Sequence, residues 1–298
     1  MFEWFMILFG WLAAVLFIAV SGYKIAKIAR MPLNVRWEVY PVPHEPADRR
    51  NYGGSYMEQV DWVNKPRVTN PLAEYLEMAA EIFALKRVKE HNVYNVWLWS
   101  LAMHWGIYLY FGWLFLLVAD LFLNAPILAL ATNVVGVAAG ALGAAGALAL
   151  AVKRATQREL KLYTTPLDYF NLVFIASFFV AGLASWLGDL SFAAHKSYIG
   201  SVLFFKPAAA PFAVSLSFLL FELFLIYMPF SKLIHYFAKF FTFHHALWDD
   251  EYKEKGSARD FQIVKQLTYA VQWSGPHIVK GKSWLAQAQT PLQESEKK

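Results

Sequence analysis

Of the eight histidines in this 298-residue chain, two, His104 and His235, fall in stretches that read as membrane-spanning helices. An imidazole in hydrocarbon is expensive and is kept for a reason. Two imidazoles on different helices of a small bundle can grip a haem iron from both faces. Their nitrogen lone pairs then complete low-spin six-coordination. A haem held in that way shuttles electrons, because no coordination position stays open for substrate. The plainer alternative is that each is a hydrogen-bonded core histidine. His104 lies about 12 Å in from the start of its span at ~1.5 Å per residue. His235 lies near the end of its own span, so both belong to the same half of the bilayer. Helix tilt, or a bend near Pro229, has to make up the remaining difference in depth.

Other chemistry-bearing residues rank behind that pair. Glu222 sits within the last span and Asp120 ends the second. A carboxylate in the membrane is a functional candidate, and quinol oxidation releases protons that such an acid can accept. A structural hydrogen bond across helices is the simpler account of both. Haem propionates favour basic partners at the interface, and Lys153 and Arg154 stand at the matching end of the third span, where topology alone also explains them. His195 reads as an ordinary polar residue of an inter-span loop. His44, His91, His244, His245 and His277 fall in polar segments. His244 and His245 are adjacent, so on a helix their rings diverge by about 100° and cannot share a haem face.

The elements that must position these groups are apolar helices. The chain is 58% hydrophobic and 17% aromatic, ordinary for a multi-span membrane protein and high for a soluble domain. It has no cysteine, which excludes disulfides, thiolate haem ligation and iron–sulfur clusters within it. Five stretches reach the ~20 residues a bilayer requires: residues 2–20, 96–121, 126–152, 169–187 and 209–227, the last extending toward 238. The first lacks a basic leader and a small-residue cleavage pattern, and reads as a retained anchor. Lys24, Lys27 and Arg30, Lys86, Arg87 and Lys89, Lys153, Arg154, Arg158 and Lys161, and Lys232 and Lys239 all flank the same side. The positive-inside rule then puts the N-terminus outside and the C-terminus in the cytoplasm. The modest net charge of +5 serves orientation and does not point to nucleic acid.

The expected fold is therefore an all-α integral membrane protein, a five-helix bundle with a cytoplasmic insert and tail. Residues 1–30 form the first span, 31–92 the insert, 93–241 the four-helix haem-binding core, and 242–298 a partner-docking tail. Within the insert, Asn70-Pro71 marks a helix start. Apolar residues at 72, 75, 76, 79, 82 and 83 fall on one face, suited to a membrane surface or to a partner. The tail carries Trp248, Tyr252, Trp273 and Trp284, aromatics of the docking kind, and residues 293–298 read as disordered. The third span is rich in small residues, among them Gly136, Gly140, Gly143 and Gly146. These let helices approach closely or leave room for a flat macrocycle.

The run Met228-Pro229-Phe230-Ser231-Lys232-Leu233-Ile234-His235 resembles the end of the last span in the respiratory nitrate reductase gamma subunit family, five-helix cytochromes b. Met103-His104-Trp105-Gly106 resembles that family's first haem ligand, and Lys153-Arg154 with Thr164-Thr165 and Asp168 resembles its third inter-span loop. The resemblance covers roughly residues 93–245. It implies haem b ligated by His104 and His235. The family's second ligand pair is replaced here by Leu114 and Ser217, which implies one haem and not two. Phe243 to Asp250, Trp273 to His277 and Lys282-Ser283-Trp284 resemble cytochrome b subunits of the Dsr and Tmc membrane complexes. That likeness implies a heterodisulfide-reductase-like iron–sulfur partner.

The leading expectation is an electron-transfer subunit of a multisubunit quinone-linked oxidoreductase in a prokaryotic cytoplasmic membrane. It would work between menaquinone and the iron–sulfur partner, beside other membrane-complex subunits. A haem-free membrane anchor is the alternative. A transporter is the third class, supported only by Glu222 and lacking the internal repeats usual in transporters.

Overall fold

The computed structural model describes residues 1–31, 60, 61, 64, 70–244 and 255–290. It falls into two units, Met1–Gly22 with Tyr75–Ile234, and Tyr23–Glu74 with His235–Lys298. The described residues are helical apart from turns, loops and two isolated β-bridges. Five helices are long and apolar enough to cross a membrane. These are α1 (Phe2–Ala29), α4 (Trp97–Leu123), α5 (Pro126–Thr156), α7 (Pro166–Asp189) and α9 (Phe212–Tyr227), the last reaching that length with the 3-10 turn that carries it to Phe230. Four of the five outlast the apolar runs that announced them, because charged residues end a hydrophobic stretch without ending a helix. Thus α1 carries Lys24 and Lys27 in its final turns, and α5 ends beyond Lys153 and Arg154.

Local chemistry fixes several boundaries. Pro126 and Pro166 stand in first turns, where a missing N–H costs nothing. Thr165 and Asp168 form a capping box at the start of α7. The N–H of Trp97 donates to the Asn92 side chain at 2.9 Å, which opens α4.

The first unit is held by two kinds of contact. The α4–α5 pair approaches backbone to backbone: a Cβ on Gly106 would strike the Gly143 main chain, and one on Gly146 would strike Met103 and the Trp99 carbonyl. Close approach through small residues is how helices associate where lipid removes the hydrophobic drive. The remaining core is aromatic. The Tyr110 ring lies 4.7 Å from Phe221 and 5.4 Å from Phe178, and Trp113 lies 4.9 Å from Phe192. Large apolar side chains such as Phe115 and Ile127 stay exposed on the spans, as lipid-facing residues do.

The amphipathic helix expected at Pro71 is present as α2 (Pro71–Phe83), and the N–H of Ala73 bonds to the Asn70 side chain at 3.2 Å. Leu72, Tyr75, Leu76, Ile82 and Phe83 remain exposed. Its acids turn elsewhere: Glu77 meets Lys86 at 2.6 Å, and Glu81 accepts from the Arg87 N–H at 3.1 Å. Lys86 and Arg87 open the short α3 (Lys86–Glu90). The last carbonyls of a helix lack intrahelical donors. Here three aromatic donors near the start of α4 supply them. Trp97 Nε1 reaches the Ala84 carbonyl at 2.8 Å, Trp105 Nε1 that of Phe83 at 2.9 Å, and the Tyr108 hydroxyl that of Ile82 at 3.1 Å. Replacing Trp105 and Tyr108 together with phenylalanine removes two of these bonds, at about 1 kcal/mol each. Limited proteolysis between residues 84 and 96 should then accelerate, while spans far from α2 stay protected.

The second unit contains a small folded piece in the tail. Helix α11 (Ala258–Leu267) is capped by Ser257, and α12 (Trp284–Ala288) by Ser283; α6 (Arg158–Leu162), α8 (Ala193–Phe204) and α10 (His235–Lys239) complete the described α-helices. Val271 exchanges backbone bonds with Gly281 and Lys282. The Gln287 amide both donates to and accepts from the backbone of Val279. Phe261, Trp273 and Trp284 stay exposed on this piece. Trp248, Tyr252, His44, His245, residues 293–298 and most of 31–69 lie outside the described residues.

Candidate functional site

His104 sits two turns into α4, half-buried. Its Nδ1 lies 2.7 Å from the Ser100 carbonyl one turn back. A carbonyl only accepts, so Nδ1 carries the proton and the ring lone pair belongs to Nε2. This is the arrangement in which metal-binding histidines are usually held, the second nitrogen fixing tautomer and ring orientation. The Tyr108 ring stands edge-on at 6.3 Å from His104, and Tyr108 in turn meets Phe83 at 6.2 Å. The donor chemistry of His104 therefore fits a haem iron. Among the described residues no group of three or more His, Asp or Glu could hold a metal ion unaided. A haem iron needs only two protein ligands, its other four coming from the macrocycle.

The run around Pro229 explains itself locally. Helix α9 ends at Tyr227 and gives way to short 3-10 turns at Met228–Phe230 and Lys232–Ile234. Pro229 lacks an N–H and cannot continue the α-helical ladder. Ser231 is extended, and its hydroxyl accepts from the N–H of Leu233 at 3.2 Å, capping the next turn. Lys232 pairs with Asp168 at 2.9 Å, the same carboxylate that closes the capping box of α7. The Tyr227 hydroxyl donates to Asn171 at 2.7 Å. The bend expected near Pro229 is thus a helix break, locked on both sides. His235 follows as the first residue of α10 and is exposed; it belongs to the second unit. The basic pair on α5 is tied to loops: Lys153 donates to the Tyr94 carbonyl at 3.4 Å and Arg154 to the Thr164 hydroxyl at 3.3 Å.

At the opposite end of the first unit, Glu222 is buried and accepts from the Tyr198 hydroxyl at 2.9 Å, while its other oxygen, Oε2, has no hydrogen-bond partner. Asp120 is also buried, paired with Lys196 at 2.9 Å. Its place as an ion-pair partner favours the structural account of that acid.

His195 departs from expectation. It lies in α8, a helix hidden in what reads as a loop, and it is 1% exposed. Its Nε2 is 2.8 Å from the Ser185 hydroxyl, and Trp113, Phe192 and Phe218 enclose the ring. Burial pushes the imidazole down to about 4, against the opposing pull of Asp189. A histidine held neutral stabilises the fold fully above its unfolded value near 6.5, and loses that contribution as pH falls toward 4. The span corresponds to roughly 3 kcal/mol. Thermal unfolding in detergent should therefore drop over that window in the wild type, and the His195→Gln variant should show a visibly flatter profile.

The glycine stripe of α5 is filled by protein. The Trp113 and Phe192 rings occupy the space above Gly136, Leu183 that above Gly140, and Phe179 that above Gly143. These contacts support the helix-packing reading of the stripe. Ser217, where the resemblance places a lost ligand, is 2% exposed and donates to the Val214 carbonyl at 2.9 Å. Neighbouring Phe218 packs flat on Tyr198 at 4.3 Å.

Nothing in the sequence marked Tyr198 or His195. Both lie on a twelve-residue helix too short to span and without apolar periodicity.

Residues 118–248 match the family model of the nitrate reductase gamma subunit. That family comprises membrane cytochrome b electron-transfer subunits of respiratory oxidoreductase complexes. The match takes in the last turns of α4, all of α5 to α10, and His235. It begins after His104 and covers less than half of the chain. Neither a curated protein nor a solved structure matches the chain.

Proposed function

We propose that this chain is the membrane cytochrome b subunit of a respiratory complex in a prokaryotic cytoplasmic membrane. It passes electrons between menaquinone and a cytoplasmic heterodisulfide-reductase-like iron–sulfur partner, beside other membrane subunits. His104 and His235 are the axial ligands of one haem b, and Lys153 and Arg154 are its propionate contacts. The observation that carries this reading is the His104 ring, whose Nδ1 is engaged by the Ser100 carbonyl so that Nε2 presents the lone pair. The family match across α5 to α10 supports it.

When bound, the haem supplies one-electron chemistry. The protein's part is to hold an imidazole in one tautomer, exclude water with apolar helices, and handle protons. Of the two acids, Glu222 suits proton transfer better, because Asp120 is engaged in an ion pair with Lys196 at 2.9 Å whereas Glu222 bonds only a neutral tyrosine hydroxyl. A single haem is favoured because Leu114 and Ser217 cannot ligate iron and the core beside Ser217 is closed by aromatic rings. With the N-terminus outside, the open apolar face of α2 lies on the inner membrane surface, and the exposed Phe261, Trp273 and Trp284 face the partner.

The test is a reduced-minus-oxidised spectrum of the purified protein. Split bands of a low-spin b-type haem, at one haem per chain, are expected. Colourless protein in an otherwise intact complex would replace this reading with that of a haem-free anchor.

A further inference from the structure

The first unit contains a pocket that no part of the electron-transfer reading uses. It has a volume of about 50 Å³ and is lined by Phe2, Glu3, Met6, Tyr198, Ser201, Ser215 and the run Ala208 to Ala210. Its rim is open: Phe2 is 55% exposed, and Ala208 and Ala209 are exposed. Its floor is closed and polar, since Tyr198, Ser201 and Ser215 are each under 7% exposed. That is room for a small water cluster, at about 10–15 Å³ of such space for each water. Tyr198 is the link inward. It lines the pocket, and its hydroxyl is bonded to Glu222 Oε1.

Glu222 is 6% exposed, and Oε2 is a buried oxygen with no partner. A buried ionised carboxylate with one hydrogen bond is poorly compensated, so the geometry favours a group that takes and gives a proton. The approach of α1 seals the site from that side: a Cβ on Gly10 would lie 2.9 Å from Glu222 Oε1. The titratable groups facing Glu222 are Tyr198 and Tyr110, both tyrosines. The only carboxylate at the pocket is Glu3, bonded to the N-terminal ammonium at 3.3 Å.

We propose that this pocket and Tyr198 form a proton path between water at the α1 end of the bundle and Glu222. The Tyr198 hydroxyl gives its proton to the Glu222 carboxylate as it accepts one from a hydronium ion relayed through the pocket, which is left as neutral water. In the reverse direction the protonated carboxyl returns the proton through the same hydroxyl. No bond other than O–H forms or breaks, and no oxidant is needed. The proposal rests on Glu222 as the proton-handling acid of the reading above, yet it is tested without haem.

The experiment is deuterium exchange of the full chain in lipid nanodiscs, followed by the carboxyl C=O stretch in the infrared. A protonated-carboxyl band absent from Glu222→Gln should shift within mixing time in the wild type. In Tyr198→Phe the shift should slow at least about tenfold, the lower side of what a positioned proton-transfer group contributes. Carbodiimide labelling of the wild type, read by mass spectrometry, needs no variant and should modify Glu222, less as pH rises. A missing Glu222 band, an unslowed Tyr198→Phe, or an unlabelled Glu222 overturns the path. Exchange that behaves as described in a colourless protein would keep the path and sink the cytochrome.

Discussion

Replacing His104 with alanine is expected to erase the low-spin haem spectrum while leaving the helical bundle standing. The two effects separate because His104 does little for the fold. It is half-buried, and its hydrogen bond to the Ser100 carbonyl is worth about 1 kcal/mol. The α4–α5 pair is held elsewhere, at Gly106, Gly143 and Gly146. Loss of an axial ligand is not a matter of degree in the same way, since a bis-histidine haem with one imidazole removed no longer has its low-spin ligand set. Haem content by pyridine haemochrome and the reduced-minus-oxidised spectrum read the first effect, and circular dichroism with thermal unfolding reads the second. Added imidazole should restore the low-spin bands by refilling the vacated position. The His235→Ala variant should behave in the same way. An unchanged spectrum in either variant would remove that residue from the ligand set.

What the residues announced in advance differs between the two ends of the bundle. The His104 end was legible because its signals are local. A histidine in a hydrophobic run, Asn70-Pro71 before an amphipathic helix and Pro229 inside a span each act within one or two turns. The helix break and α2 stand where those signals put them. The opposite end was opaque because its chemistry is assembled across long separations. Glu222 finds Tyr198 twenty-four residues away, and Lys196 meets Asp120 across seventy-six. The hidden α8 is short and nearly uniform in character around its circumference, so neither length nor periodicity revealed it. The glycines of α5 were ambiguous for a related reason. Small residues state that something comes close, and only the partner's identity distinguishes a helix or an aromatic ring from a macrocycle. Here Phe179, Leu183 and Trp113 are that partner.

The second large effect concerns that close approach. Gly106→Leu should be severely destabilising, and Gly112→Leu, on the same helix, should be tolerated. At Gly106 any Cβ meets the Gly143 main chain, and the Ala139 carbonyl lies 3.0 Å away. Backbone cannot turn aside as a side-chain tip can, so α4 and α5 must separate along their length. Overpacking of this sort typically costs about 1–3 kcal/mol, more where nothing can yield, and a whole isobutyl group against backbone falls at or above the upper figure. At Gly112 nothing lies within 4 Å, and replacing glycine inside a helix favours the helix by up to about 1 kcal/mol. Thermal unfolding of the two variants in one detergent reads the contrast directly. Because His104 is two residues from Gly106, a displaced α4 carries the imidazole with it. Haem occupancy should therefore fall in Gly106→Leu even in molecules that remain folded, and stay at the wild-type level in Gly112→Leu. Equal stability of the two variants would show that the α4–α5 contact does not hold the bundle.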